Sequence, residues 1–191
     1  VVAHAYDKRF AEGLGFWAFA KVRLLRLYPL YFLAFAIAVL TVPAARLAGI
    51  KTWALDPAVI IPGLLMLPTF ARGAYGLVYP FNNPSWTLFF ELSANAAYAL
   101  IWRWLNNLVL MVVIAVSALG LAYTALHFGS LDVGFSSKQF VGGFGRVFFS
   151  FFAGVGVYRL QLVRPCPLKI SPWLLMAGCF VLLIAGPHRG L

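Results

Sequence analysis

Charged residues are scarce in this sequence, at 10% of 191 residues, whereas hydrophobic residues make up 63%. A soluble domain of this size carries far more charge on its surface, so the composition excludes that class. The mean hydropathy is +0.90. Several apolar runs reach the length of about 20 residues with which a helix crosses roughly 30 Å of hydrocarbon. The sequence therefore predicts an integral membrane protein.

Cysteine and histidine are also scarce, with two and three residues respectively. Cys166 and Cys179 have neither a metal-ligand nor a redox spacing. His4, His127 and His188 do not cluster, and no Ser-His-Asp arrangement emerges. We therefore expect no metal ion, and spacing alone gives no histidine a catalytic role.

Acidic residues are outnumbered, with 5 Asp and Glu against 15 Lys and Arg and a net charge of +10. Strongly basic chains often bind nucleic acid. Here the basic residues flank the apolar runs and do not line one polar face, which is typical of contact with lipid headgroups. We expect membrane lipids as partners and no nucleic acid.

The apolar runs predict an all-α fold, a bundle of about five transmembrane helices plus one short re-entrant or broken helix. We expect one membrane domain over residues 1–191, the central part of a longer domain, preceded by a mixed interfacial segment at residues 7–21. Proline is expected to end the first span at Pro43 and to begin the second at Pro84, with Asn83 as its N-cap. The predicted spans are residues 22–42, 84–105, 108–128, 140–160 and 173–186, and the short segment is residues 56–70.

The distribution of basic residues between the loops sets the expected orientation. The bias is larger if segment 56–70 re-enters than if it spans, so the re-entrant arrangement is favoured by a narrow margin. It places Arg164 in the cytoplasm and Asn83 towards the outer side.

Glu91 is the most informative residue, because it lies about seven residues into an apolar helix, or roughly 10 Å deep at 1.5 Å per residue. Ionisable groups at that depth are costly and usually face a partner or a water-filled cavity. Thr87, Glu91 and Asn95 recur every four residues and share one face. Glu91 is therefore a catalytic candidate, and the alternative is a stripe of hydrogen bonds between helices.

Three arginines are further candidates. Arg146 lies at a similar depth in a later span, so we hypothesise an ion pair with Glu91, with a purely structural role as the alternative to a role in a site. Arg23 and Arg26 share one helix face near the basic membrane surface. Arginine binds phosphate bidentately, so the pair is a candidate for an anionic cofactor, whereas the alternative is that both extend to lipid phosphates.

Two segments resemble the acyltransferase 3 family. Residues 22–31, VRLLRLYPLY, are similar to its Arg-x-x-Arg helix start followed by an aromatic-Pro step. Residues 83–92, NPSWTLFFEL, resemble its Pro-x-Trp-Ser-Leu-x-x-Glu signature, with Thr87 where serine is usual. A third segment, around Gly145 and Arg146, resembles a later helix of the family. The resemblance covers most of the chain, and the Trp-to-Glu segment is its most specific part.

The resemblance implies transfer of an acyl group, often acetyl, from cytoplasmic acyl-CoA to a hydroxyl of a glycan or lipid-linked acceptor in a bacterial inner membrane. It implies a catalytic role for Glu91 and places the family's general base on an earlier helix, so this chain is not expected to catalyse alone. The rival interpretations are a transporter and a non-catalytic membrane scaffold. The residues with a substrate-binding role by resemblance are Arg23, Arg26, Asn83, Trp86 and Arg146.

Overall fold

The computed structural model describes residues 2–50, 55–71, 74–163 and 171–185, and every regular element in these ranges is helical. The predicted all-α fold is confirmed. Arg164, which was predicted to be cytoplasmic, lies outside the described residues, and so does His188. The elements are α1 (Val2–Ala11), α2 (Phe16–Leu47), α3 (Pro57–Leu64), α4 (Ser85–Ile101) with a 3₁₀ turn (Trp102–Trp104), α5 (Asn107–Phe128), α6 (Phe140–Val163) and α7 (Pro172–Ala185).

Three helices are long and apolar enough to cross a membrane: Phe16–Leu47, Asn107–Phe128 and Phe140–Gln161. Their outward faces carry large apolar side chains such as Leu33, Leu119 and Val141, which suit contact with lipid tails. Of the other two predicted spans, α4 has 17 residues and α7 has 14. The predicted number of about five spans is therefore not confirmed. The chain divides into two compact units, residues 1–158 and 159–191, and everything described below lies in the first.

The first span differs from the prediction at both ends. Helix α2 begins at Phe16 and continues through Pro29 and Pro43 to Leu47, so the prediction that Pro43 ends it is wrong. A proline inside a helix removes one backbone hydrogen bond, and membrane helices tolerate this where neighbouring groups compensate. Arg23 and Arg26 consequently lie beyond the first turn of α2.

The predicted interfacial segment, residues 7–21, comprises the end of α1, a tight turn and the start of α2. Helix α1 packs on the end of α4, where the carboxylate of Asp7 accepts hydrogen bonds from the Tyr98 hydroxyl and, at 3.1 Å, from Trp102 Nε1. Phe10 and Phe19 are buried in the same cluster. Part of this mixed segment is therefore a helix that packs against protein through Asp7 and Phe10.

Helix α3 contains eight residues, a rise of about 12 Å, which is too short to cross about 30 Å of hydrocarbon. Its last carbonyls, which have no partner within the helix, accept hydrogen bonds from α2. The Tyr28 hydroxyl donates to Leu64 O at 3.0 Å, and the Tyr31 hydroxyl donates to Gly63 O. Gly63 O also accepts from Met66 N at 3.0 Å, so the Tyr hydroxyls add to the hydrogen bonds made at the end of this short helix.

A third tyrosine extends this arrangement into the loop after α3. The Tyr79 hydroxyl donates to Met66 O at 3.0 Å, and Tyr79 is buried. Burial, and to a lesser extent Tyr31, raises the pKa of the Tyr79 phenol, so it remains a protonated donor. Non-helical backbone inside a membrane protein is tolerated where it is buried in protein in this way.

Helices α2 and α4 are antiparallel. The segment of α2 near Arg23 faces Asn95, and the segment near Tyr31 faces Asn82, just before α4. If α3 crossed the membrane, α4 would run parallel to α2. The order of contacts therefore supports the re-entrant arrangement of segment 56–70.

Helix α4 begins at Ser85, with Pro84 in helical geometry as its N-cap residue, so the predicted Asn83 cap is wrong. The first amide groups of α4 instead bond to backbone carbonyls, as Trp86 N does to Asn83 O at 3.2 Å. The predicted start of α5 is confirmed by Asn106, whose side chain accepts from Val109 N at 2.9 Å.

Two glycines of α6 lie in close contact with neighbouring helices, Gly145 with α5 and Gly143 with α4. A Cβ added to Gly145 would lie 2.9 Å from the backbone carbon of Gly120, and one added to Gly143 would lie 2.4 Å from the Phe90 ring. Both positions therefore need glycine. The contact with Phe90 holds α6 against one side of α4 and leaves the α2 side of α4 to form a separate groove.

Candidate functional site

Three cavities follow one another along the contact between α2 and α4, which we call the α2–α4 groove. The mouth cavity, about 380 Å³, lies where the turn before α2 meets the end of α4. The middle cavity is about 180 Å³, and the inner cavity, near the start of α4, is about 360 Å³. All three are lined by both sides of the groove.

The middle cavity is apolar except for two groups. Arg23 reaches it from α2 and Asn95 from α4, among side chains such as Phe19 and Leu92. The guanidinium of Arg23 also lies over the rings of Tyr6 and Phe19, at 5.1 and 5.6 Å from their centres. Arg23 Nε and Asn95 Oδ1 are both buried without a hydrogen-bond partner.

The inner cavity contains Arg26, together with Asn82, Ser85 and Thr87 at the start of α4. Arg26 is exposed on its surface, and the Thr87 hydroxyl donates to Pro84 O at 2.8 Å. Ser85 is buried, and its Oγ has no partner. Arg23 and Arg26 therefore share a face, as predicted, but they line successive cavities of the groove.

The mouth cavity contains Arg103, which is exposed between Trp102 and Trp104. Its opposite wall is the turn from Gly13 to Phe16. Gly13 adopts φ 98, a backbone conformation that favours glycine. The mouth therefore presents one cation and two indole rings at the end of the groove that also carries the basic residues of α1.

Glu91 lines none of the three cavities; it lies on α4 between Leu88, which lines the inner cavity, and Leu92, which lines the middle one. Its side chain is exposed and so is not enclosed by protein. Of the predicted stripe, Asn95 alone is buried, with 1% of its surface exposed, and its Nδ2 donates to Glu91 O at 2.8 Å. Among the described residues the Glu91 carboxylate has no salt-bridge partner. A free carboxylate beside two cavities can bind a hydroxyl or a proton.

Arg146 does not pair with Glu91, so that hypothesis is wrong. Its guanidinium lies 3.5 Å from Asp132 Oδ1 and 4.9 Å from the centre of the Trp86 ring, and it donates to Leu131 O at 3.1 Å. The physical reason is the helical repeat: Trp86 and Glu91 are five residues apart, about 140° around α4. The structure thus brings Trp86 and Arg146 together on the face of α4 opposite the groove.

Asn83 is the remaining predicted binding residue. It is exposed just before α4 and lines none of the three cavities, whereas its neighbour Asn82 lines the inner one. The sequence analysis also missed Asp132, Ser85 and Arg103. The sequence does contain a signal for Asp132. It lies in a short loop just before the span that contains Arg146, and such a loop can fold back and bring an aspartate to an arginine.

Two comparisons match this chain to other proteins. The sequence profile of a family described as "Acyltransferase domain" matches residues 3–188. The chain is similar to a protein of Rhizobium radiobacter called "Protein 2 in picA locus", with 37% identity over 148 residues, which is 67% of this chain and 73% of that protein. No solved structure matches.

Proposed function

The chain belongs to the acyltransferase 3 family, and from that premise we propose that it transfers an acyl group, often acetyl, from cytoplasmic acyl-CoA to a hydroxyl of a glycan or lipid-linked acceptor. Membership makes it an acyltransferase, and its apolar helices make it an integral membrane protein. We propose, beyond this, the identity of the donor and the acceptor and the roles of individual residues.

One observation carries the proposal: both family-like segments meet in the α2–α4 groove. The first contributes Arg23 and Arg26 from α2, and the second contributes Ser85 and Thr87 from α4, with Glu91 one helical turn beyond Thr87. In a chain with so few charged residues, two cations and one unpaired carboxylate along a single groove are costly to maintain without a ligand. The groove is therefore the proposed reaction site.

The groove suits the reaction as follows. The acceptor hydroxyl attacks the thioester carbonyl carbon, a carbon–oxygen bond forms, the carbon–sulfur bond breaks, and the CoA thiolate leaves and takes up a proton. Negative charge develops on the thioester oxygen, and Arg26 in the inner cavity would stabilise it. Glu91, on α4 between the inner and middle cavities, would accept a hydrogen bond from the attacking hydroxyl or orient the base that removes its proton.

The donor would enter from the mouth cavity. Arg103 and the basic residues of α1 lie at that end, and basic residues favour the cytoplasmic side of a membrane. Arg103 would then bind the CoA phosphates, Arg23 would contact the donor further in, and Arg26 would lie at the thioester. Trp86, Asn83 and Arg146, near the opposite end of α4, would act on the acceptor side. The bacterial relative supports placing the protein in an inner membrane.

The test is acyl transfer by the full-length protein, reconstituted in vesicles, from acyl-labelled CoA into lipid-extractable or glycan material. Glu91→Gln should fold normally, and its rate of acyl transfer should fall roughly 10²–10⁴-fold. This is the usual contribution of a positioned acid–base group to the rate. Glu12→Gln, a change of the only other glutamate, is the control and should retain activity.

A folded Glu91→Gln protein with wild-type turnover would leave Glu91 without a catalytic role and would favour a scaffold. Transport of acyl-CoA into the vesicles without transfer would favour the transporter interpretation.

A further inference from the structure

We propose that the middle cavity binds the pantetheine arm of the donor, with Asn95 Oδ1 accepting from an amide N–H of the arm and Arg23 Nε donating to an amide carbonyl. This inference rests on the proposed function and specifies how the donor lies in the groove. The ligand chemistry is the amide-containing arm, which free acyl-CoA and an acyl-carrier protein have in common.

The evidence is a pair of buried polar atoms with no partner. Asn95 is 1% exposed and Arg23 Nε is buried, yet among the described residues neither Asn95 Oδ1 nor Arg23 Nε has a hydrogen-bond partner, although both residues line the same cavity. Leaving a buried donor or acceptor unpaired is destabilising. Such a pair in one cavity is explained if a ligand supplies the partners.

The orientation of the Asn95 amide is set by its other hydrogen bond. Its Nδ2 donates to Glu91 O at 2.8 Å, which only an N–H group can do. Its Oδ1 is therefore left as an acceptor. The cavity consequently offers one acceptor, from Asn95, and one donor, from Arg23, within walls that are otherwise apolar.

An amide meets both requirements. It carries one N–H donor and one carbonyl acceptor, and in pantetheine the amide nearer the thiol has methylene groups on both sides, which suit side chains such as Leu24 and Leu92. An acyl chain would fill the space but leave both polar atoms unpaired. A thioester offers an acceptor alone.

The order of the cavities matches the order of groups in the donor. Phosphates come first, at Arg103 in the mouth cavity, the two amides follow, and the thioester comes last, at Arg26 in the inner cavity. The middle cavity lies between these two cations, so it receives the part of the donor that carries no charge.

The test measures binding to the full-length protein in detergent by titration calorimetry, with CoA and with adenosine 3′,5′-bisphosphate, which lacks the arm. Asn95→Leu should weaken CoA binding about tenfold, as expected for loss of one buried hydrogen bond. Binding of the bisphosphate should not change. Asn107→Leu, an exposed asparagine at the start of α5, is the matched control and should bind both ligands as the wild type does.

A second variant covers the case in which Asn95→Leu does not fold. Ala96→Leu leaves both polar atoms in place but fills the cavity, since Ala96 lines it. It should abolish the contribution of the arm, so that CoA binds no more tightly than the bisphosphate. Wild-type CoA affinity in a folded Asn95→Leu or Ala96→Leu protein would overturn the inference and leave the proposed donor intact.

The source of the arm is tested in parallel with a carrier protein in its phosphopantetheinylated and unmodified forms. If the wild type binds the modified carrier but not CoA, and Asn95→Leu weakens that binding, the arm site is confirmed and free acyl-CoA is rejected as donor. If the wild type binds neither CoA nor the modified carrier, both the inference and the proposed donor are rejected.

Discussion

The guanidinium of Arg146 lies 3.5 Å from the carboxylate of Asp132, in the loop that precedes α6. The Asp132 side chain is 78% exposed and that of Arg146 is 36% exposed, so water screens the pair. Because Arg146 has this partner and lies over Trp86 as well, the negative charge of Glu91 is not neutralised by it. The two charges therefore have independent roles.

That independence predicts additive effects on stability. Glu91→Gln and Arg146→Gln should change the free energy of unfolding in detergent by amounts that add within about 0.5 kcal/mol. Asp132→Asn and Arg146→Gln should instead couple, by about 0.2–1 kcal/mol, as exposed pairs do. Two double-mutant cycles check this. Strong coupling of Glu91 to Arg146 would show that the two pair after all.

Arg26 should affect the chemical step. Arg26→Gln removes the cation of the inner cavity, and we expect kcat/KM to fall roughly 10²-fold with most of the loss in kcat. Arg26→Lys should recover part of it, because the charge returns without the planar guanidinium. Arg46→Gln, at the opposite end of α2, is the control. A change in KM alone would place Arg26 in ground-state donor binding.

The antiparallel arrangement of α2 and α4 predicts the sidedness of two exposed loops. Single cysteines at Glu12, before α2, and Lys138, before α6, should react with an impermeant maleimide from opposite sides of sealed vesicles. The background carries serine at Cys166 and Cys179. We expect Glu12→Cys on the cytoplasmic side. Labelling of both from one side would contradict the re-entrant position of α3.

Tyr79 should be a stability determinant. Tyr79→Phe leaves Met66 O buried without its donor, and we expect a loss of about 1–3 kcal/mol in the free energy of unfolding. Tyr28→Phe is the matched control, because its bond to Leu64 O is exposed and water can replace the hydroxyl. Chemical denaturation of the two variants measures the difference, and equal effects would argue against a special role for the buried bond.

Composition and local spacing were sufficient for much of the fold. The span predicted over residues 108–128 agrees with α5 to within one residue, because its apolar run is a local signal. The effect of Pro43 was mispredicted, because whether a helix tolerates proline depends on neighbours that are distant in sequence. The shortness of α3 was predictable, whereas its tyrosine partners were not, since Tyr28 and Leu64 are 36 residues apart.

The candidate site likewise has features that could be predicted from the sequence and features that could not. Glu91 and the paired arginines of α2 stood out because charge is rare in apolar runs, and the groove that unites them depends on the antiparallel contact of α2 and α4. The exposure of Glu91 could not be predicted from its depth along α4, because depth says nothing about direction around the helix. Asp132 was missed although its position shortly before α6 is visible in the sequence, because its contact with Arg146 also needs the loop to turn back over the start of α6.

The three tyrosine hydroxyls at the end of α3 constrain how the protein is made. During synthesis Tyr28 and Tyr31 emerge before α3, but Tyr79 emerges only after it. Until then the carbonyl of Met66 lacks the donor that it has in the finished protein, and an unpaired carbonyl in hydrocarbon costs several kcal/mol. We therefore expect the segment to reach its final, stable position only after the loop that contains Tyr79 has been translated.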